Sequence, residues 1–197
     1  MTDDAVNVTR RRVLTAATSV VGVVGVVGAA VPFVGSWNPS AKAKAAGAPV
    51  TVNIGKIEPG AMITVEWRGK PVYIVRRTPE ALEGLKKVED QLRDPESVEL
   101  QQPAYAQNAT RSIKDEYLIL VGLCTHLGCA PGYRPDMGAQ DLGGDEWQGG
   151  FFCACHGSKF DLAGRVFRGV PAPINLEVPP HAFESESVVT IGVDQEA

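Results

Sequence analysis

A chain of 197 residues with 44% hydrophobic and 21% charged residues has the length of one domain and the composition of a folded one, which excludes a disordered protein. Its formal net charge of −4, with no basic run interleaved with aromatics, argues against nucleic acid as a partner, because phosphate binding needs clustered Lys and Arg. Four cysteines are too few for a disulfide scaffold, yet all four fall between positions 124 and 155, and two of the three histidines lie among them.

The chain opens with Thr9, Arg10, Arg11, Arg12, Val13 and Leu14, a polar residue and paired arginines before an apolar step, which resembles a twin-arginine export signal. An apolar stretch runs from Val13 to about Trp37. About 20 helical residues suffice to cross a hydrocarbon layer of roughly 30 Å, so this stretch can span a membrane. Trp37 suits the membrane–water interface, and Gly22, Gly25 and Gly28 would let a second membrane helix approach closely. A cleaved signal peptide is the alternative, with Ala41, Lys42 and Ala43 as a candidate cleavage site. Apolar regions of such peptides run to only about 7–15 residues, so length favours a retained anchor. Lys42 and Lys44 behind the helix nearly balance the arginines in front of it, and the twin-arginine pattern breaks the tie. It implies residues 1–12 in the cytoplasm, a membrane helix over 13–37, a flexible linker over 38–48 and a globular head over 49–197 on the other side.

Short strands dominate the head. Segments 50–54, 62–67 and 71–76 alternate or run apolar, with Gly60 and Gly69 as punctuation. Thr78, Pro79 and Glu80 predict a helix start, with Leu82, Leu85 and Val88 on one face and Asp94-Pro95 as the stop. Residues 95–115 are polar and irregular. Residues 116–122 read as a buried strand entering the first Cys/His loop, Phe151 and Phe152 lead into the second, and 188–193 form a last strand. The expected fold is mostly β: a small antiparallel domain with one helical insertion, its two loops meeting as hairpin tips, behind one N-terminal transmembrane helix.

The two loops carry the chemistry. Cys124-x-His126 and Cys153-x-x-His156 each offer one thiolate and one imidazole, and each loop has one further cysteine, Cys129 or Cys155. Three readings compete on these residues. Structural zinc accepts Cys₂His₂, but zinc fingers usually keep the two residue types in separate pairs. Two ordinary disulfides would leave His126 and His156 without a role. A Rieske centre binds one iron through two Cys and the other through two His.

The loops CTHLGC (124–129) and CACHGSKFD (153–161) resemble the two Rieske boxes. That resemblance implies one 2Fe–2S cluster held by Cys124, His126, Cys153 and His156, with Cys129 and Cys155 joined in a disulfide that ties the loops together. A lasting disulfide suits the bacterial periplasm, in agreement with the export signal. Replacing two thiolates by neutral imidazoles leaves the oxidised centre uncharged. The potential should therefore lie in the range of Rieske centres, about −150 to +300 mV, and electron uptake should favour proton uptake. Ser158 matches a serine that donates to a bridging sulfide. Phe160 stands where many members have a tyrosine that donates to a ligand thiolate, which implies a lower potential here. Ala154 replaces a common proline, a departure of little expected consequence.

Residues 164–173, GRVFRGVPAP, resemble the proline-rich loop over the cluster of quinol-oxidising complexes. With the anchor, this likeness points to the iron–sulfur subunits of bacterial ubiquinol–cytochrome c reductase. It implies an inner-membrane subunit with its head in the periplasm. The partners would be cytochrome b and c-type cytochrome subunits, in a dimeric complex, with ubiquinol as substrate. His156 would face the quinol by family position. His181, outside both boxes, reads as a surface or structural residue. A soluble Rieske ferredoxin would lack the spare cysteines and the anchor, and an arsenite-oxidase Rieske subunit would lack the 78–115 insertion. A structural metal domain would show no redox signal.

Overall fold

The computed structural model describes residues 7–194; residues 1–6, half of the expected cytoplasmic segment, and 195–197 lie outside the described residues. The chain divides into two units, 1–45 and 46–197.

In the first unit, helix α1 spans Val8–Gly35. It starts earlier than the apolar stretch alone predicts, because the Asn7 side chain accepts the Arg10 amide at 3.0 Å and draws the arginines into the first turns. The helix is long and apolar enough to cross a membrane once. A short helix α2, Ala41–Ala46, occupies the expected linker, begun by Ser40, whose Oγ accepts the Ala43 amide at 3.1 Å.

The head is mostly β, as expected. Among the described residues, nine strands form three antiparallel sheets of three: β1 Val50–Asn53, β2 Met62–Trp67, β3 Lys70–Arg76, β4 Tyr117–Val121, β5 Gly132–Arg134, β6 Gly150–Cys153, β7 Ser158–Asp161, β8 His181–Ser185 and β9 Val188–Ile191. Their orders are β1-β9-β8, β2-β3-β4 and β5-β6-β7. Strand β4 is buried at every position, because the middle sheet has a core on each face. Leu118 and Leu120, with Tyr73 and Val75 of β3, pack into the core that also holds Cys124, Cys153, Phe151 and Phe160. Tyr117 and Ile119, with Val72 and Ile74, pack the other way, against Ile54, Val189 and Ile191. A strand covered on both sides loses its polar alternation and reads as a continuous apolar run.

Two expectations change. The loops are not a matched pair of hairpin tips: only 153–158 closes a hairpin, β6–β7, whereas 124–129 passes from β4 in one sheet to β5 in another. Helix α3, Pro79–Lys87, starts as predicted, with the Thr78 hydroxyl accepting the Ala81 amide at 3.2 Å, but stops well before Asp94. Arg165 takes the Leu85 carbonyl at 3.0 Å, and Leu92 bridges to Phe167. Asp94 instead accepts the amides of Val98 and Glu99.

Composition gave no warning of the buried arginines. Arg165 and Asp161, 2% and 1% exposed, pair at 2.8 Å. The Arg77 guanidinium donates to the carbonyls of Asp115, Thr110 and Leu162 and to Ser112 Oγ. Burial pushes Arg77 and Arg111 down to about 10, with Asp161 opposing the shift in both.

His181 is structural rather than superficial. It is 1% exposed, edge-on to the Tyr105 ring at 5.7 Å, with Nδ1 at 2.8 Å from the Pro179 carbonyl. Burial lowers its affinity for a second proton, opposed only partly by that carbonyl. The unfolded chain, at about 6.5, therefore binds the proton more tightly. The stabilisation is complete above about pH 6.5 and is lost as the pH falls from there through the lower folded value. A His181→Asn variant, which keeps a donor for Pro179, should flatten the decline in melting temperature between about pH 6.5 and 5 in detergent solution. An unchanged decline would assign it to other groups.

Candidate metal centre

Each loop is bent by the same device. Gly128 N donates to the Cys124 carbonyl at 2.8 Å, and Gly157 N to the Cys153 carbonyl at 2.9 Å. Both are one-turn i→i+4 closures, and both glycines have left-handed φ, +81° and +78°, which a side chain would resist. Cysteine opens each turn and histidine lies within it. The Cys124 amide in turn donates to the Cys129 carbonyl at 2.8 Å, which shuts the first loop from the other side.

The sheets hold these turns in place. Tyr73 of β3 braces the first loop at both ends. Its hydroxyl donates to the Pro131 carbonyl at 3.0 Å, while its ring fills the space where a Cβ on Gly122 would come within 2.4 Å of Cζ. Burial raises the Tyr73 phenol, so it stays a donor. The ring also stacks on Phe151 at 5.8 Å, which links the brace to the strand that carries the second loop. A covalent bond, Cys129–Cys155, joins the two loops.

Both remaining cysteines, Cys124 and Cys153, are free thiols, 3% and 2% exposed. Burial pushes the Cys153 thiol up, and a hydrogen bond with Cys124 adds to the shift. The imidazoles of His126 and His156 meet edge to face, with centroids 4.7 Å apart. His126 is half-buried, and its Nδ1 is buried with no protein partner among the described residues. His156 is exposed. Buried polar atoms without partners are rare in native proteins, so an orphan imidazole nitrogen, with a buried free thiol in each loop, fits residues that could hold a soft metal centre. The sulfurs of Cys129, Cys153 and Cys155 also lie within 4.8 Å of one another, but two of them are spent in the disulfide. The two free thiols thus touch each other, the two imidazoles touch each other, and the two spare cysteines are paired in the disulfide.

Zinc would accept the same two thiolates and two imidazoles. The choice is made by relatives. The family model described as "Rieske [2Fe-2S] domain" matches residues 49–180, and that described as "Ubiquitinol-cytochrome C reductase Fe-S subunit TAT signal" matches residues 1–40. The chain is 58% identical over 195 residues to the ubiquinol-cytochrome c reductase iron-sulfur subunit of Allochromatium vinosum, covering 99% of this chain and 94% of that one. It belongs to the Rieske iron–sulfur subunits of ubiquinol–cytochrome c reductase. The corresponding subunit of Bradyrhizobium diazoefficiens is 40% identical over 184 residues, 93% of this chain and 94% of that one. Among solved structures, a chain of "Hyperthermophilic respiratory Complex III" is 25% identical with a TM-score of 0.46, covering 88% of this chain and 98% of that chain.

The Rieske subunit is an electron carrier with one 2Fe–2S cluster of the two-Cys, two-His type. Its one apolar N-terminal helix lies within the part matched by the leader model and suits a single-pass anchor. Reading the residues in order singled out Ser158 but not the contacts that hold it and the first loop. Thr125, inside the first loop, donates through Oγ1 to the Ile174 carbonyl at 2.7 Å. Ser158, fully buried, accepts the Ala172 amide on Oγ at 3.0 Å. Gly122 beside the first loop was the one local sign that a ring from elsewhere, Tyr73, packs there.

Closing the 26-residue separation between Cys129 and Cys155 stabilises the head by about 3.5 kcal/mol on the loop-entropy account. The Cys129→Ser/Cys155→Ser double variant should lose stability of that order in urea titrations of the detergent-solubilised protein. A loss below about 1 kcal/mol would show that the loops stay joined without the bond.

Proposed function

We propose that this subunit takes an electron from ubiquinol at the quinol site of a cytochrome b subunit and passes it to a c-type cytochrome subunit, within a dimeric complex of the bacterial inner membrane. Cys124 and Cys153 would hold one iron and His126 and His156 the other. The observation that carries this reading is the asymmetry of the two imidazoles. They lie side by side, but His126 is partly covered with a buried nitrogen, whereas His156 is exposed. His156, the more exposed of the two rings, is the one that would present a ring edge to a quinol hydroxyl at the protein surface.

The bound cluster supplies one-electron redox capacity in a range that quinol can reach. Everything else falls to side chains of this chain. His156 accepts the hydrogen bond from the quinol on its ring nitrogen not used for iron and holds the proton there. The buried thiolates of Cys124 and Cys153 keep water off one side of the centre. Ser158 keeps its own proton for donation, because its amide contact from Ala172 uses only an oxygen lone pair.

Placement of the head in the periplasm is supported by the disulfide, which a reducing cytoplasm would not preserve, and by the match to a twin-arginine leader. A head made inside with its cofactor and exported folded is what that route serves. The segment 38–48 would then let the head move between donor and acceptor.

EPR of ascorbate-reduced membranes tests the assignment. A Rieske signal should appear, its shape should respond to quinol-site inhibitors, and Cys124→Ser and His156→Gln should abolish it. A signal indifferent to those inhibitors would point to a different electron donor.

Phe160 packs in the same core as Cys124 and Cys153 and is fully buried. A hydroxyl added there would have to find an acceptor among its neighbours, and a cluster thiolate would be better stabilised in the reduced state by it. Phe160→Tyr should raise the midpoint potential in a redox titration. A midpoint that stays or falls would remove Phe160 as a determinant of the potential.

A further inference from the structure

Segment 164–176 leaves the end of β7 and returns to its own start: the Leu176 amide donates to the Gly164 carbonyl at 2.8 Å and closes a neck. Further round, the segment hydrogen-bonds to each metal-binding loop, through the Ala172 amide on Ser158 Oγ and the Ile174 carbonyl under Thr125 Oγ1. Where those two contacts fall is set by how the neck is held.

Arg111 holds it. Its side chain is fully buried, and its guanidinium donates on one side to the Ala163 carbonyl at 3.0 Å and the Gly164 carbonyl at 3.3 Å, both through Nη1. On the other side Nη2 donates to the Leu176 carbonyl at 2.7 Å and to Gln102 Oε1 at 2.9 Å. A planar fork can reach both strands of a neck at once, which a single ammonium nitrogen cannot. Two backbone features answer to this arrangement. Gly164 has φ +72°, and a Cβ there would stand 3.1 Å from Arg111 Nη1 and 2.8 Å from Leu120 Cδ1. Arg111 itself has φ +49°, a left-handed conformation that strains a non-glycine residue and persists where its surroundings over-determine it.

We propose that Arg111 is a positioning residue for the iron–sulfur centre: by spanning the neck of the 164–176 loop it fixes the Ala172 amide on Ser158, and so the hydrogen bond by which Ser158 tunes the centre's potential. The proposal rests on the reading of the ligands and of Ser158 given above. With one lone pair of Ser158 Oγ occupied by the amide, the hydroxyl loses rotational freedom, and its proton is polarised and directed away from Ala172. A neck that loosens lets the amide drift and the rotor turn, so the reduced centre loses a donor and the midpoint falls.

Redox titration followed by EPR, on membranes holding the assembled complex, separates this from a general disturbance. Arg111→Lys keeps the charge but not the fork. It should lower the midpoint by less than Ser158→Ala does, and the double variant should sit at the Ser158→Ala value. An Arg111→Lys midpoint equal to wild type, or an equal fall with and without Ser158, overturns the proposal. Should Arg111→Lys hold no cluster, Gln102→Leu, which removes one acceptor of the fork, is measured in the same two backgrounds. A fall seen only with Ser158 present supports the proposal, and a wild-type midpoint overturns it. A Rieske signal that survives Cys124→Ser is a separate outcome: it refutes the ligand reading and takes this proposal with it.

Discussion

Two loops that different sheets carry each hold one free cysteine and one histidine, and the bond between Cys129 and Cys155 joins them. Within each loop a cysteine carbonyl and a glycine amide four residues on close a single turn, which presents the thiol inward and the imidazole beside it. Such turns have few hydrogen bonds of their own and would open readily if each stood alone. Joined covalently and packed on a common core, they form one unit whose geometry no longer depends on either loop separately.

The middle sheet is the platform for that unit. Its central strand β3 and edge strand β4 are covered on both faces, so neither can shift without disturbing two cores. Tyr73 carries that rigidity outward, with its ring beneath Gly122 and its hydroxyl on the Pro131 carbonyl. The result is that Cys124 and Cys153 are buried while His156 is exposed.

Irregular backbone near a core poses a different problem, because its carbonyls have no ladder to satisfy them. Here arginine supplies the donors. Arg77, Arg111 and Arg165 together reach main-chain carbonyls at positions 85, 95, 110, 115, 162, 163, 164 and 176. Asp161 is the one carboxylate paired with them by a salt bridge among the described residues. Charge is thus kept inside for its hydrogen-bonding geometry, at the cost of a guanidinium proton held less tightly in Arg77 and Arg111. The long segments 95–115 and 161–176 keep a defined course without becoming strands.

Local pattern alone determined much of this protein. The two Cys/His loops stood out because their residues cluster at short spacing, the long apolar helix because its apolar length matches a bilayer, and helix α3's start because Thr78 and Pro79 act through neighbouring amides. Strands β2, β3 and β4 were legible through their apolar runs. Tertiary structure decided the rest, since the contacts join residues far apart in sequence. It ended α3 early by giving the Leu85 carbonyl to Arg165, buried His181, and turned the arginines inward. It also set the first loop between two sheets and left one histidine exposed and the other half-buried. No spacing in the sequence distinguishes His126 from His156, because exposure is a property of what packs against each ring.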